Sequence, residues 1–151
     1  MKTPAVAETI SPARILLVDD NKLGLLARKA VLEEQGHRIT TAPEGVEALE
    51  QFTRDRFDLI ITDYRMPRMN GLELIRKVRE LDSNVPIILI SGYAEALGLT
   101  EANTGADAVI PKSAHEVQQL VRWVNRLLRR PAPKKPMASQ AGKAKSRIAA
   151  R

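Results

Sequence analysis

Five short apolar runs alternate with helix-periodic segments along this 151-residue chain, and that alternation leaves few folds open. The runs are Arg14-Ile15-Leu16-Leu17-Val18, His37 to Ala42, Leu59-Ile60-Ile61-Thr62, Val85-Pro86-Ile87-Ile88-Leu89-Ile90 and Ala108-Val109-Ile110. Most are continuously apolar, the pattern of strands covered on both faces in a parallel sheet. Helical spacing follows each run. It covers Lys22 to Gln35, stopped by Gly36; Glu44 to Arg54, with Val46, Leu49 and Phe52; and a stretch carrying Leu72, Leu74, Ile75, Val78 and Leu81. Tyr93 to Gly105 reads as a short helix interrupted by Gly98, and His115 to Arg130 as a long final one. In that last helix Val117, Leu120, Val121, Val124, Leu127 and Leu128 are spaced to face a core. The first helix reads as two-sided, with Leu23, Ala27, Ala30 and Val31 on the core stripe and Leu25 and Leu32 nearly opposite.

Five strands alternating with five helices predict one α/β unit: a flavodoxin-like (βα)5 doubly wound parallel sheet, strand order 2-1-3-4-5. The folded unit is expected over residues 13–130, after a flexible leader at 1–12. Beyond Pro131 the chain is Pro, Lys, Ala, Ser and Gln, too poor in apolar surface to fold, so 131–151 reads as a basic disordered tail. The net charge of +6 resides there: Lys134, Lys135, Lys143, Lys145, Arg147 and Arg151 are six cations with no acid among them. Those six taken from the 24 Lys and Arg leave 18, equal to the 18 Asp and Glu. A general basic surface is therefore not implied. The chain has no cysteine, which excludes disulfides, thiolate metal sites and cysteine nucleophiles. No apolar run reaches membrane-span length and no signal-peptide h-region opens the chain, so a cytoplasmic location is expected.

Polar residues close the strands where an open α/β sheet forms its ligand crevice. Asp19-Asp20 end the first strand, Asp63 the third, Ser91 the fourth and Lys112 the fifth. In the 2-1-3 order the first and third strand ends are neighbours, so three carboxylates converge and repel unless a cation joins them. Oxygen-only donors point to Mg²⁺, held by two carboxylates and a backbone carbonyl. Lys112 would pair with one phosphoryl oxygen and the Ser91 hydroxyl with another, leaving Asp63 as a carboxylate nucleophile that becomes an acyl phosphate. Helix caps and a solvated lysine are the plainer account of any one position, but not of all five together. No G-x-x-x-x-G-K-[ST] or G-x-G-x-x-G occurs, so nucleotide cradling has no motif. His37 and His115 read as ordinary surface residues.

Val18-Asp19-Asp20, Asp63-x-x-Met66-Pro67-x-x-x-Gly71, Ser91-Gly92 and Gly105-Ala106-Asp107 leading to Lys112 together resemble the receiver domain of two-component response regulators. The resemblance covers roughly 13–130. It implies that Asp63 takes a phosphoryl group from a phosphohistidine on a sensor kinase or phosphotransfer protein. It also implies that Asp20 and Asp63 bind Mg²⁺ directly, Asp19 through water, and the Arg65 carbonyl as a further ligand. The chain departs from the pattern at Val109, where many receivers carry an aromatic switch residue, and at Ser113, where proline after a cis bond is common. A cis bond before serine costs about 2.5–4 kcal/mol, so a trans bond or a strained loop is expected. Arg65 and Tyr93 lie two residues beyond Asp63 and Ser91. The resemblance implies that these positions flank the phosphoryl pocket, where the two are either plain surface residues or a hindrance to the hydrolytic water. Leu25 is either an incidental surface leucine or part of a kinase-docking patch. Trp123 is either core filling or a self-association surface.

The expected function is that of a stand-alone receiver, signalling through phosphorylation-controlled contacts or passing the phosphoryl group on in a phosphorelay. Self-phosphorylation and slow autodephosphorylation are its only expected turnover, and dimerisation on phosphorylation is compatible with it. The alternative is a receiver tethered to nucleic acid or an anionic surface by its tail, which lacks the aromatics for base stacking and an apolar face for insertion. A phosphatase or dehalogenase would want an acid two residues beyond the nucleophile, where Arg65 stands.

Overall fold

The computed structural model describes residues 11–129. The expected leader, except Ser11 and Pro12, and the expected tail lie outside the described residues. Strands β1 (Arg14–Val18), β2 (Arg38–Ala42), β3 (Leu59–Asp63), β4 (Ile87–Ser91) and β5 (Ala108–Pro111) form one sheet in the order β2-β1-β3-β4-β5, all pairs parallel. Helices α1 (Lys22–Glu34), α2 (Gly45–Arg54), α3 (Gly71–Leu81), α4 (Glu101–Thr104) and α5 (Glu116–Leu128) are the crossovers. This is the flavodoxin-like (βα)5 sheet expected from the alternation.

Side-chain alternation sorts the sheet into two cores. Leu16, Val18, Ile60, Ile87 and Leu89 pack beneath Ala48, Leu74, Ile75 and Val78 of α2 and α3. Ile15, Leu17, Leu59, Ile61, Ile88 and Ile90 pack beneath Leu25 and Leu32 of α1 and Leu120 and Val124 of α5. Both faces of β1, β3 and β4 are covered, so these strands read as nearly unbroken apolar runs, whereas the edge strand β2 carries Thr40 and Thr41 half-buried.

Local signals explain the helix starts. Asn21 accepts from the Gly24 N–H to open α1, and a reciprocal box between Asn70 and Glu73 opens α3. The Tyr93 to Gly105 segment is mostly turns. Only Glu101–Thr104 is helical, boxed by Thr100 and Asn103 and ended by Gly105 at φ +84°.

Three expectations are corrected. The inward stripe of α1 is Leu25, Arg28 and Leu32, while Leu23 is 80% exposed. Val117 is exposed, because Glu116, Leu120 and Val124 take the inward positions of α5, with Glu116 reaching Arg28. His37 is buried rather than superficial: its Nδ1 accepts from the Ala13 N–H at 3.1 Å and its Nε2 has no hydrogen-bond partner. His115 is exposed at the start of α5. Trp123 is half-buried on the core side, with the Arg126 guanidinium 5.0 Å from its ring centroid.

Candidate functional site

Register and parity build the site. Val18 pairs with Thr62, so the next residues, Asp19 and Asp63, leave neighbouring strand ends on the face of Leu17 and Ile61, toward α1 and α5. Asp20 lies beside them, exposed. One carboxylate oxygen from each of Asp19, Asp20 and Asp63 falls within 4.8 Å of the others. Such an all-oxygen set fits a hard divalent cation such as Mg²⁺.

Asp63 is buried, and Lys112 Nζ lies 3.0 Å from its Oδ1. Burial pushes the Asp63 carboxyl above its ordinary value; the Lys112 hydrogen bond opposes this, and the nearby Asp19 charge adds to it. The β4–β5 pairing sets Lys112, whose N–H donates to the Ser91 carbonyl at 3.1 Å. Ser91 Oγ accepts from the Tyr93 N–H at 2.9 Å, a bond that leaves its own hydrogen free to donate elsewhere. The structure thus brings Asp19, Asp20, Asp63 and Lys112 together, and ties Ser91 to Lys112 through the backbone.

Arg65 is exposed in the loop after β3, and its Nη1 donates to Tyr93 Oη at 2.6 Å while its guanidinium lies 5.1 Å from the ring centroid. The pair bridges the loops that follow Asp63 and Ser91. Val109 is half-buried, and a hollow lined by Ala94, Leu99, Val109 and Lys112 lies beside it. No peptide bond among the described residues is cis, so Lys112–Ser113 is trans.

Two residues were missed from sequence. Arg28 is buried and donates from Nη1 to Asp19 Oδ2 and from Nε to Glu116 Oε2 at 2.7 Å. Burial works to discharge Arg28, but Glu116 and then Asp19 outweigh it and hold the guanidinium above its ordinary value. The signal was present in the spacing of Leu25, Arg28 and Leu32, a stripe that hydropathy alone breaks at the arginine.

The family model for the response regulator receiver domain matches residues 15–125. The chain belongs to this family. Among the receiver's relatives, response regulator MprA of Mycobacterium leprae (strain TN) is 34% identical over 121 residues, 80% of this chain and 53% of that protein. The chain therefore spans about half the length of the curated relatives it matches. Response regulator TrrA of Thermotoga maritima, solved with Mg²⁺-BeF, superposes with a TM-score of 0.70 at 35% identity, over 76% of this chain and 98% of that one. The receiver domain of sensor histidine kinase PA1611 of Pseudomonas aeruginosa, solved with magnesium in its active-site cleft, gives 0.72 at 27%, over 80% and 100%. Phosphorylation and Mg²⁺ binding are general properties of receivers, which are signalling domains partnered by histidine kinases. Among the described residues, no helix is long and apolar enough to cross a membrane.

Proposed function

We propose that Asp63 accepts a phosphoryl group from a phosphohistidine donor, and that the phosphorylated receiver either changes its protein contacts or hands the group on in a phosphorelay. The observation that carries this reading is Lys112 Nζ 3.0 Å from Asp63 Oδ1, beside carboxylates of Asp19 and Asp20. An Asp63 oxygen attacks phosphorus, the P–N bond to the donor imidazole breaks, and an acyl phosphate results. Lys112 pairs with a phosphoryl oxygen as a compact point charge, and the Ser91 hydroxyl donates to another. Asp20 and Asp63 would hold Mg²⁺ directly, with Asp19 through water and the Arg65 carbonyl as a further ligand. Bound there, Mg²⁺ would neutralise charge shared by the carboxylates and the phosphoryl group. Attack of water on phosphorus returns the Asp63 carboxylate and releases phosphate.

The receiver boundaries of 13–130 belong to this reading and are supported by the match at 15–125 and by elements running from Arg14 to Leu128. Exposure to acetyl phosphate, with and without Mg²⁺, should add one phosphoryl group by mass to the wild type only when Mg²⁺ is present. Asp63→Asn should add none. Labelling that survives in Asp63→Asn, or that ignores Mg²⁺, would overturn the assignment.

A further inference from the structure

Three carboxylates converge at the strand ends, and the fold supplies a buried cation of its own to one of them. Arg28 sits on the inward stripe of α1 at 7% exposure, between Leu25 and Leu32, where an apolar residue would be expected. Its Nη1 donates to Asp19 Oδ2, and its Nε donates to Glu116 Oε2 at 2.7 Å. The other Asp19 oxygen accepts from the Asn21 N–H at 2.9 Å, so both oxygens of this acid are engaged. The second cation, Lys112, is half-exposed and serves Asp63 instead. A closed chain of charge therefore runs from the acidic pocket through α1 to the first turn of α5.

We propose that Arg28 is a positioning residue that holds Asp19 and sets how tightly the acidic pocket takes a divalent cation, with Glu116 governing how much of the Arg28 charge the pocket feels. The proposal rests on the Mg²⁺ reading of Asp19, Asp20 and Asp63. With Arg28 on Asp19, an incoming Mg²⁺ meets a pocket one unit less negative than its three acids alone would make it. Glu116 draws that positive charge toward α5 and offsets part of it. Burial sharpens both effects, because little water intervenes. Arg28 thus keeps the metal-free acids together at the expense of metal affinity.

The two charges predict shifts of opposite sign. Mg²⁺ alone, titrated calorimetrically into the full chain, should bind Arg28→Met roughly tenfold more tightly than wild type, and Glu116→Gln about threefold more weakly. Arg28→Lys keeps the charge and should stay within about twofold of wild type. Thermal melts supply a second readout. Arg28→Met should melt lower than wild type without metal and gain more from saturating Mg²⁺. A purely structural arginine would lower the melting temperature and leave the affinities alone. Should Arg28→Met fail to fold without metal, Glu116→Gln decides by itself. Wild-type affinity in Glu116→Gln, or unchanged or weaker binding in Arg28→Met, overturns the proposal while the metal site stands. A wild type that binds no Mg²⁺ and takes no label from acetyl phosphate overturns the site reading itself, and the proposal with it.

Discussion

Gly71 opens α3 directly against the end of β3, and its N–H donates to the Tyr64 carbonyl at 2.7 Å. A Cβ there would lie 2.4 Å from the Asp63 carbonyl oxygen and 3.0 Å from Leu89 Cδ1. The Asp63 carbonyl and the Tyr64 Cα, also 3.0 Å away, are backbone atoms that cannot swing aside, so the backbone at Asp63 must move. Gly71→Ala should therefore cost about 1–3 kcal/mol in a urea melt and slow labelling by acetyl phosphate, by as much as ~100-fold for an ångström of displacement. Arg65 and Tyr93 pose a different question, because their 2.6 Å hydrogen bond joins the loop after Asp63 to the loop after Ser91. With Asp63 phosphorylated as proposed, such a bridge would hinder the water that hydrolyses the aspartyl phosphate. Phosphorylated Arg65→Ala and Tyr93→Ala should each lose label faster than wild type, and the double variant no faster than the quicker single one if the bridge is the cause. Equal decay in all four would discard the bridge.

The first helix shows how one buried charge can mislead a reading of a whole element. Hydropathy puts Leu23, Ala27, Ala30 and Val31 inward, yet Leu25, Arg28 and Leu32 are the residues that meet the sheet. The arginine is affordable there only because Asp19 and Glu116 receive it. This rotation exchanges the roles of two leucines. Leu25 is 9% exposed and packs in the core, so Leu25→Glu should cost about 3 kcal/mol or more and report nothing on docking. Leu23 is 80% exposed one turn from Asp19-Asp20, and Leu23→Glu should change stability by under about 0.5 kcal/mol. If a phosphohistidine partner docks on this helix, Leu23→Glu slows transfer from that partner and leaves acetyl phosphate labelling unchanged. Slowed labelling by both donors would place the defect in the pocket instead.

At the scale of the molecule, His37 ties the entry of β1 to the start of β2, accepting from Ala13 N–H in a buried setting. Burial lowers its pKa below the ordinary 6.5, so the unfolded chain takes the proton more readily than the native one. Its contribution to stability is complete above 6.5 and is lost as pH falls through that value toward the lower native one. Asp63, with its raised pKa, works in the opposite sense, but it is common to wild type and variant. Urea midpoints at about pH 7.5 and about pH 5.5 should therefore fall further in wild type than in His37→Asn, whose carboxamide oxygen can still accept from Ala13. Parallel falls would assign the acid sensitivity elsewhere. The strand order and the convergence of Asp19, Asp20, Asp63 and Lys112 were legible in the sequence, because a doubly covered parallel strand must be apolar throughout and the polar residue that ends it must stand at the sheet's carboxyl edge. Only the tertiary structure decided which face of α1 turns inward, that Val117 stays outside, and that His37 is buried. It alone joined Arg28 to Glu116, 88 residues further on, because a charge is buried only where distant partners compensate it, and a hydropathy pattern does not show those partners.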